Sequence, residues 1–413
     1  MPQAFDYYYN RLKKFTLLRV YDSFGIDMTE FYDPDNIFDL AKKQAQEDRL
    51  DNSSLLDIVS KIDERIDAIK SDYLNDVDSD SFSAGDGIED LLTRLKAEPE
   101  IGIPMYGSLI NTVSRGARLK KLYLRSAPTG TGKTRTMIAD ACYFSCSRMY
   151  DDYFGWMKIG KALPTLYIST EQEKDEIQTM MLAFLSNVPE DHILDSRYVG
   201  DEEERIHEAA KVLKESNLKI ECLPDFSLKD VESLIKHHIR ENNTSYIMFD
   251  YIQTSLKILE EISKRSGGIK LREDNILFML SRRLKDIANK YGVFILTATQ
   301  LNGAWKQDES PDQNLLRGAK SIADSIDLGL ILLPVSQEDL KNLESVLSTN
   351  TFKTPNIKIS VYKNRRGKYK GIYLWSNADL STCRVNPMFA TDYGYNLIQM
   401  DDLHINVNDD GAF

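Results

Sequence analysis

Cysteine and histidine are scarce in this chain, and neither clusters. The four cysteines (Cys142, Cys146, Cys222 and Cys383) form no C-x-x-C pair, and the five histidines form no ligand set. This argues against a disulfide scaffold and a structural zinc site, and it predicts reduced thiols in a cytoplasmic protein. Long apolar runs are missing too. No stretch approaches the roughly 18 residues that a membrane helix needs, so no membrane partner is expected. The opening MPQAFDYYYNRLKKF has no short apolar core followed by small residues and does not read as a secretory signal. No internal repeat is present. Positive charge is in deficit: 52 Lys and Arg face 64 Asp and Glu, a net charge of −12. That argues against a general nucleic-acid coat protein. It leaves room for a local basic surface, and residues 353–370 supply one, with seven Lys or Arg and no acid.

What is present is an ordinary globular composition. The 413 residues are 42% hydrophobic and 28% charged, enough for a sizeable core in one large or two smaller domains. Residues 71–87, SDYLNDVDSDSFSAGDG, carry five Asp and no base, which reads as a solvated linker. Before it, Leu55, Ile58, Ile62, Ile66 and Ile69 recur at three- and four-residue spacing. This is one face of an amphipathic helix, with Ser53 or Ser54 as its cap. YNRLKKFTLLRVYDSFG also reads as helical. Residues 1–80 are thus a small helical N-terminal region, followed by an acidic linker and linker helix over 81–101.

Beyond the linker the period changes. The β-rich runs are KLYLRSA, PTLYIST, LKIECLP, YIMFDYI, VFILTATQ, DLGLILL, IKISVYKN and GIYLWSN. Helical stretches such as SLKDVESLIKHHIREN and DNILFMLSRRLKDIANKY separate the earlier ones. The alternation predicts an α/β fold, a mostly parallel sheet with helices on both faces. Only RRGKYK separates the last two runs, too short for a crossover helix, so a C-terminal β-hairpin is expected. Residues 385–413 read as a polar, irregular tail with no assigned role.

Residues 126–134, SAPTGTGKT, sit between a strand and a helix. Gly130 and Gly132 let backbone N–H groups turn toward a phosphate, and the helix N-terminus adds its positive end. As a nucleotide site, Lys133 reaches β- and γ-phosphates and Thr134 holds Mg²⁺; the alternative is a glycine-rich turn without ligand. The usual first glycine is replaced by Ala127, which serves if its backbone stays in an ordinary φ region. The expected nucleotide-binding stretch is Ala127, Pro128, Thr129, Gly130, Thr131, Gly132, Lys133, Thr134 and Arg135, with ATP and Mg²⁺ as cofactors. Three strand ends add polar groups. Asp250 ends YIMFD and suits a metal shell, or simply ends a strand. Glu171 follows LYIST and suits polarising a water, or complements a helix start. Gln300 ends ILTATQ, as a γ-phosphate contact or a polar terminus. Lys363 and Arg365 lie two apart on a strand and share a face. They act together on one anion, with the Arg supplied in trans, or form a solvated basic hairpin or a plain phosphate-backbone contact. Trp305, in a long polar loop, either stacks on a base or packs under the loop.

The order of these features resembles the RecA-like ATPase core, and more narrowly the DnaB-type replicative helicase family. The resemblance covers residues 87–377. IGIPMYGSLINTV is similar to the segment where the family's linker meets its motor. SAPTGTGKT is similar to its phosphate loop, which often begins with Ala. YISTE, MFDYIQ, SRRLKDIANKYGVFILTATQLN, LLRGAKSIADSIDLGLIL and YKNRRG resemble its later motifs. The resemblance implies a RecA-like ATPase and helicase motor over 102–384 that translocates on single-stranded DNA as a hexamer. It implies Lys133 and Thr134 on the phosphates and Mg²⁺, Glu171 as catalytic carboxylate and Asp250 as metal-shell acid. Gln300 links the γ-phosphate to the DNA loop, Lys363 and Arg365 complete a neighbour's site, and Arg317 contacts the DNA backbone, with Lys320 adding charge there. Gly318 and Lys320 depart from the family, which usually has an acid and often a glycine at those places. Residues 1–80 match no part of the family's N-terminal domain. A primase or a helicase loader is the further partner implied. Two other readings fit a RecA-like core: a filament-forming recombination protein, and a mobile-element or defence ATPase with little unwinding.

Overall fold

A computed structural model describes residues 2–36, 38–74, 83–97, 100–265, 273–301 and 322–400. The chain divides into two compact units, Met1–Ile88 and Glu89–Phe413. The first is helical, built from Pro2–Ser23, Leu40–Asn52 and Leu55–Leu74. Asp39 caps the second helix by accepting the Lys42 N–H. Ser54 caps the third: its hydroxyl accepts the Asp57 N–H at 3.1 Å, and the Asp57 carboxylate accepts the Ser54 N–H at 2.6 Å. Leu18, Met28, Phe31, Leu50, Ile58 and Ile62 form its core. Ile66 is exposed, so the buried face is shorter than its spacing predicts. The core covers only the first turns of that helix. The Ile69 side chain lies outside the described residues.

The second unit holds the strands: β1 (Leu122–Ala127), β2 (Arg148–Asp151), β3 (Gly155–Lys158), β4 (Thr165–Ser169), β5 (Leu218–Cys222), β6 (Tyr246–Asp250), β7 (Phe294–Gln300), β8 (Leu328–Pro334), β9 (Ile357–Asn364), β10 (Ile372–Ser376), β11 (Pro387–Asp392) and β12 (Leu397–Ile398). Ten of them make one sheet in the order β12-β11-β10-β9-β8-β1-β7-β6-β4-β5. The run from β8 to β5 is parallel, and β9 to β12 continue it antiparallel. This is a RecA-like fold, mostly parallel and flanked by helices.

The strand sequences explain the burial. Every residue of β1, β4 and β6 is buried, as a sheet covered on both faces requires. Successive side chains go to opposite faces. Tyr123 and Ala127 join Met137, Phe144 and Phe184 on one side, whereas Leu122 and Leu124 join Val231, Ile235, Leu280 and Leu284 on the other. All eight strands read from the sequence are present. The hairpin β2–β3 and the strands β11 and β12 were not read from it. Residues 385 onward were expected to be irregular, but β11 extends the sheet, with Ala390 opposite Leu374. PMFATD is short, opens on proline and lacks a long apolar run. Pairing with β10, and the stacking of Phe389 on Trp375 at 6.2 Å, override that weak local signal. No described helix is long and apolar enough to cross a membrane.

Candidate active site

β1 runs centrally between β8 and β7 and delivers the glycine-rich loop at its C-terminal end. The helix Lys133–Ser145 follows at once. Gly130 and Gly132 have φ of +80° and +92°, the left-handed region that glycine tolerates. A Cβ on Gly132 would also meet Leu380 Cδ2 at 2.6 Å. Ala127 ends β1 and is not among the positive-φ residues, so its methyl group fits there.

The strands beside β1 end at the same level. Ala127 pairs with Gln300 on β7, and Ser169 on β4 pairs with Asp250 on β6. Lys133 folds back into this end. Its Nζ lies 3.4 Å from Asp250 Oδ1 and 3.4 Å from the centre of the Tyr251 ring. The Lys133 side chain is 12% exposed and that of Asp250 5%. Burial pushes the ammonium below its usual pKa range, and Asp250 and Glu171 pull it back. Asp250 is itself held: the Tyr167 hydroxyl donates to its Oδ2 at 2.8 Å. The next peptide, Asp250–Tyr251, is cis. Thr170 ties β4 to this turn. Its N–H donates to the Asp250 carbonyl at 2.8 Å, its hydroxyl accepts the Tyr251 N–H at 3.1 Å, and its carbonyl accepts Gln253 Nε2 at 2.9 Å. Glu171 follows and is exposed at this end. Gln300 Nε2 donates to the Tyr251 hydroxyl at 3.4 Å. The structure thus brings Lys133, Asp250, Tyr251 and Gln300 together, with Glu171 beside them.

A magnesium ion fits these donors. Asp250 Oδ1 is buried and faces the Lys133 ammonium at 3.4 Å without a well-aligned hydrogen bond among the described residues. Thr134 lies half-buried at the second helical position. No three His, Cys, Asp or Glu side chains cluster among the described residues. One carboxylate and one hydroxyl suit a cation that keeps its other places for phosphate oxygens and water. The Arg135 guanidinium turns away into protein contacts: it pairs with Glu190 and donates to the Leu380 carbonyl at 2.8 Å.

Behind the loop lies a buried ion pair. Arg125 of β1 meets Asp140 of the loop helix at 2.5 Å and donates to the Thr136 carbonyl at 2.9 Å. The other Asp140 oxygen accepts the Tyr106 N–H at 2.8 Å.

Lys363 and Arg365 lie elsewhere. Gly329 of β8 pairs with Lys363 on one side and with Leu124 of β1 on the other. Lys363 is therefore level with the first half of β1, and Arg365, one residue past β9, lies further still from the loop. At about 3.3 Å per residue and about 4.8 Å per strand, its backbone is about 19 Å from Ala127. Both cations reach the short helix Ile322–Ser325: Lys363 donates to the Ala323 carbonyl and Arg365 to the Asp324 carbonyl. Burial, then the nearby Arg365, holds the Lys363 ammonium below its usual range. Arg317, Lys320, Gly318 and Trp305 lie outside the described residues.

Sequence reasoning missed Tyr167, Thr170 and Leu380 as supports of the site, and Tyr251 as the ring beneath Lys133. Tyr167 looks like any core residue of an apolar strand. Leu380 is remote in sequence from the loop it touches.

Fold and loop together define a RecA-like P-loop protein. The chain belongs to the DnaB-like helicase family: the DnaB-like helicase C terminal domain matches residues 102–383. It is 37% identical to the SPbeta prophage-derived uncharacterized protein YorI of Bacillus subtilis, over 98% of this chain and 81% of that one. It is 27% identical to the replicative DNA helicase DnaB of Mycoplasma pneumoniae, over 53% of this chain and 45% of that one. Among solved structures, a separately solved ATPase domain aligns with a TM-score of 0.57 at 16% identity, covering 74% of this chain and all of that one. A DnaB-like replicative helicase, studied with its primase interactions, aligns at 0.56 and 16% identity, over 84% and 75%. At that identity the likeness establishes the fold.

Proposed function

We propose that this chain is an ATP-driven motor that moves along single-stranded DNA and separates duplex, acting as a ring of copies, most simply six. Family membership supports ATP and Mg²⁺ use. The observation that carries the assembly is the separation of the two halves of the site. Lys133, Glu171 and Asp250 gather at one end of the sheet, whereas Lys363 and Arg365 sit at the other. An arginine side chain cannot span that gap, which supports a role for the pair on another copy rather than on its own loop. Copies joined head to tail close into a ring or continue as a spiral. The helix Ile88–Ala97 offers a further contact to a second copy, because Ile88, Leu91, Leu92 and Leu95 line one exposed face.

In the working site Lys133 leaves Asp250 for the β- and γ-phosphates. Thr134 and Asp250 would hold Mg²⁺, which would supply positive charge beside the phosphates. Glu171 orients the attacking water and accepts its proton. Gln300 contacts the γ-phosphate and passes its loss to the segment after β7, where Arg317 and Lys320 meet the DNA backbone. A primase or a loader is the implied outside partner. The likeness to a prophage-derived protein over nearly the whole chain favours a phage or mobile-element setting. The test is electron microscopy with a non-hydrolysable ATP analogue and single-stranded DNA, beside unwinding of a forked duplex. Closed rings or short spirals with unwinding are expected. Long filaments without unwinding would replace this reading with the recombination one.

A further inference from the structure

Tyr251 touches three parts of the site at once. Its ring lies under the Lys133 ammonium at 3.4 Å. Its hydroxyl accepts Gln300 Nε2 at 3.4 Å. Its backbone N–H donates to the Thr170 hydroxyl at 3.1 Å, one residue before Glu171. The ammonium over this ring is nearly desolvated, the setting in which a cation–π contact is strongest. The contact competes with phosphate, because one ammonium cannot lie against the ring beside Asp250 and also reach the loop's ligand.

We infer that Tyr251 is a positioning residue that holds Lys133 when no nucleotide is bound and couples its release to Gln300. This rests on the nucleotide reading above. When phosphate draws Lys133 out of the pocket, the ring loses its cation. The hydroxyl that Gln300 contacts then shifts, so the residue contacting the γ-phosphate responds to the lysine's position. The ring sets the resting state, and the hydroxyl carries the link.

The test titrates the full-length chain with Mg²⁺ and either fluorescent ADP or a fluorescent non-hydrolysable ATP analogue. Wild type, Lys133→Ala, Tyr251→Leu, Tyr251→Phe, Gln300→Ala and the Phe/Ala double variant are compared. Tyr251→Leu removes the competing ring and is expected to bind ADP about three- to tenfold more tightly than wild type. Tyr251→Phe keeps the ring and stays within about twofold for ADP. It should lose part of the preference for triphosphate over diphosphate, as Gln300→Ala does, and the double variant should lose no more than the larger single loss. Unchanged or weaker ADP binding by Tyr251→Leu overturns the holding role, and losses that multiply overturn the link. If wild type binds neither nucleotide, the function reading falls and this inference with it. If wild type binds and Lys133→Ala does not, the nucleotide reading stands whatever Tyr251 does.

Discussion

The two ends of the parallel sheet are chemical opposites. At the loop end, Glu171 and Asp250 face one buried lysine. At the other, Lys363, Arg365 and Lys285 gather where Asp327 links the strands: the Arg365 N–H donates to the Asp327 carbonyl at 2.9 Å, and Lys285 pairs with the Asp327 carboxylate at 2.7 Å. Among the described residues, the loop end gathers acids and a glycine-rich loop around Lys133. The other end has the cations and no cradle. In the proposed motor each is half of a phosphoryl-transfer site, and the sheet between them keeps one chain from bringing the halves together.

Disabling one end per copy tests this division of labour most severely. Arg365→Ala should slow ATP hydrolysis by about 10³–10⁵-fold, the range for an arginine acting on the transition state. Mixed with Glu171→Gln copies it should regain measurable turnover, because some interfaces then pair an intact Glu171 with an intact Arg365. No recovery in mixed assemblies verified by mass would mean that the ends never meet. Glu171→Gln alone should cost about 10²–10⁴-fold in hydrolysis while still binding ATP. Near-normal turnover would remove Glu171 from the loop end's chemistry.

Stability separates the buried sheet from the exposed helix face. Phe294→Ala, in the core beneath the loop strand, should lower unfolding free energy by about 3–5 kcal/mol. Leu92→Ala, on the exposed face of Ile88–Ala97, should move monomer stability by under about 0.5 kcal/mol yet weaken assembly in sedimentation. The smallest effect belongs to neither end. Arg317→Ala should weaken single-stranded DNA binding without sequence preference and reduce the salt slope by about one. An unchanged slope would take Arg317 out of the DNA path.

The parallel sheet was legible because its strands are buried on both faces, and continuous apolar runs such as YIMF admit few other readings. The placement of Lys133, Asp250, Glu171 and Gln300 at neighbouring strand ends was legible because each closes or follows an apolar run whose strand is buried. What stayed hidden depends on distant pairing. β11 becomes a strand only because β10 and Trp375 receive it. Tyr167 is a support only because β4 and β6 lie in register, which sets its hydroxyl against Asp250. Arg365 read as a strand residue sharing a face with Lys363, but β9 stops at Asn364. Both side chains nonetheless reach neighbouring carbonyls of one helix.

The Asp140 carboxylate has a mechanical consequence. It grips the backbone at Tyr106 with one oxygen and Arg125 with the other, and Arg125 in turn grips the helix that starts at Lys133. All three attachments are short, and Asp140 is fully buried, so water does not soften them. Tension on the polypeptide arriving at Tyr106 therefore runs through a stiff three-way joint into the root of the phosphate loop, without first stretching the surface of the domain.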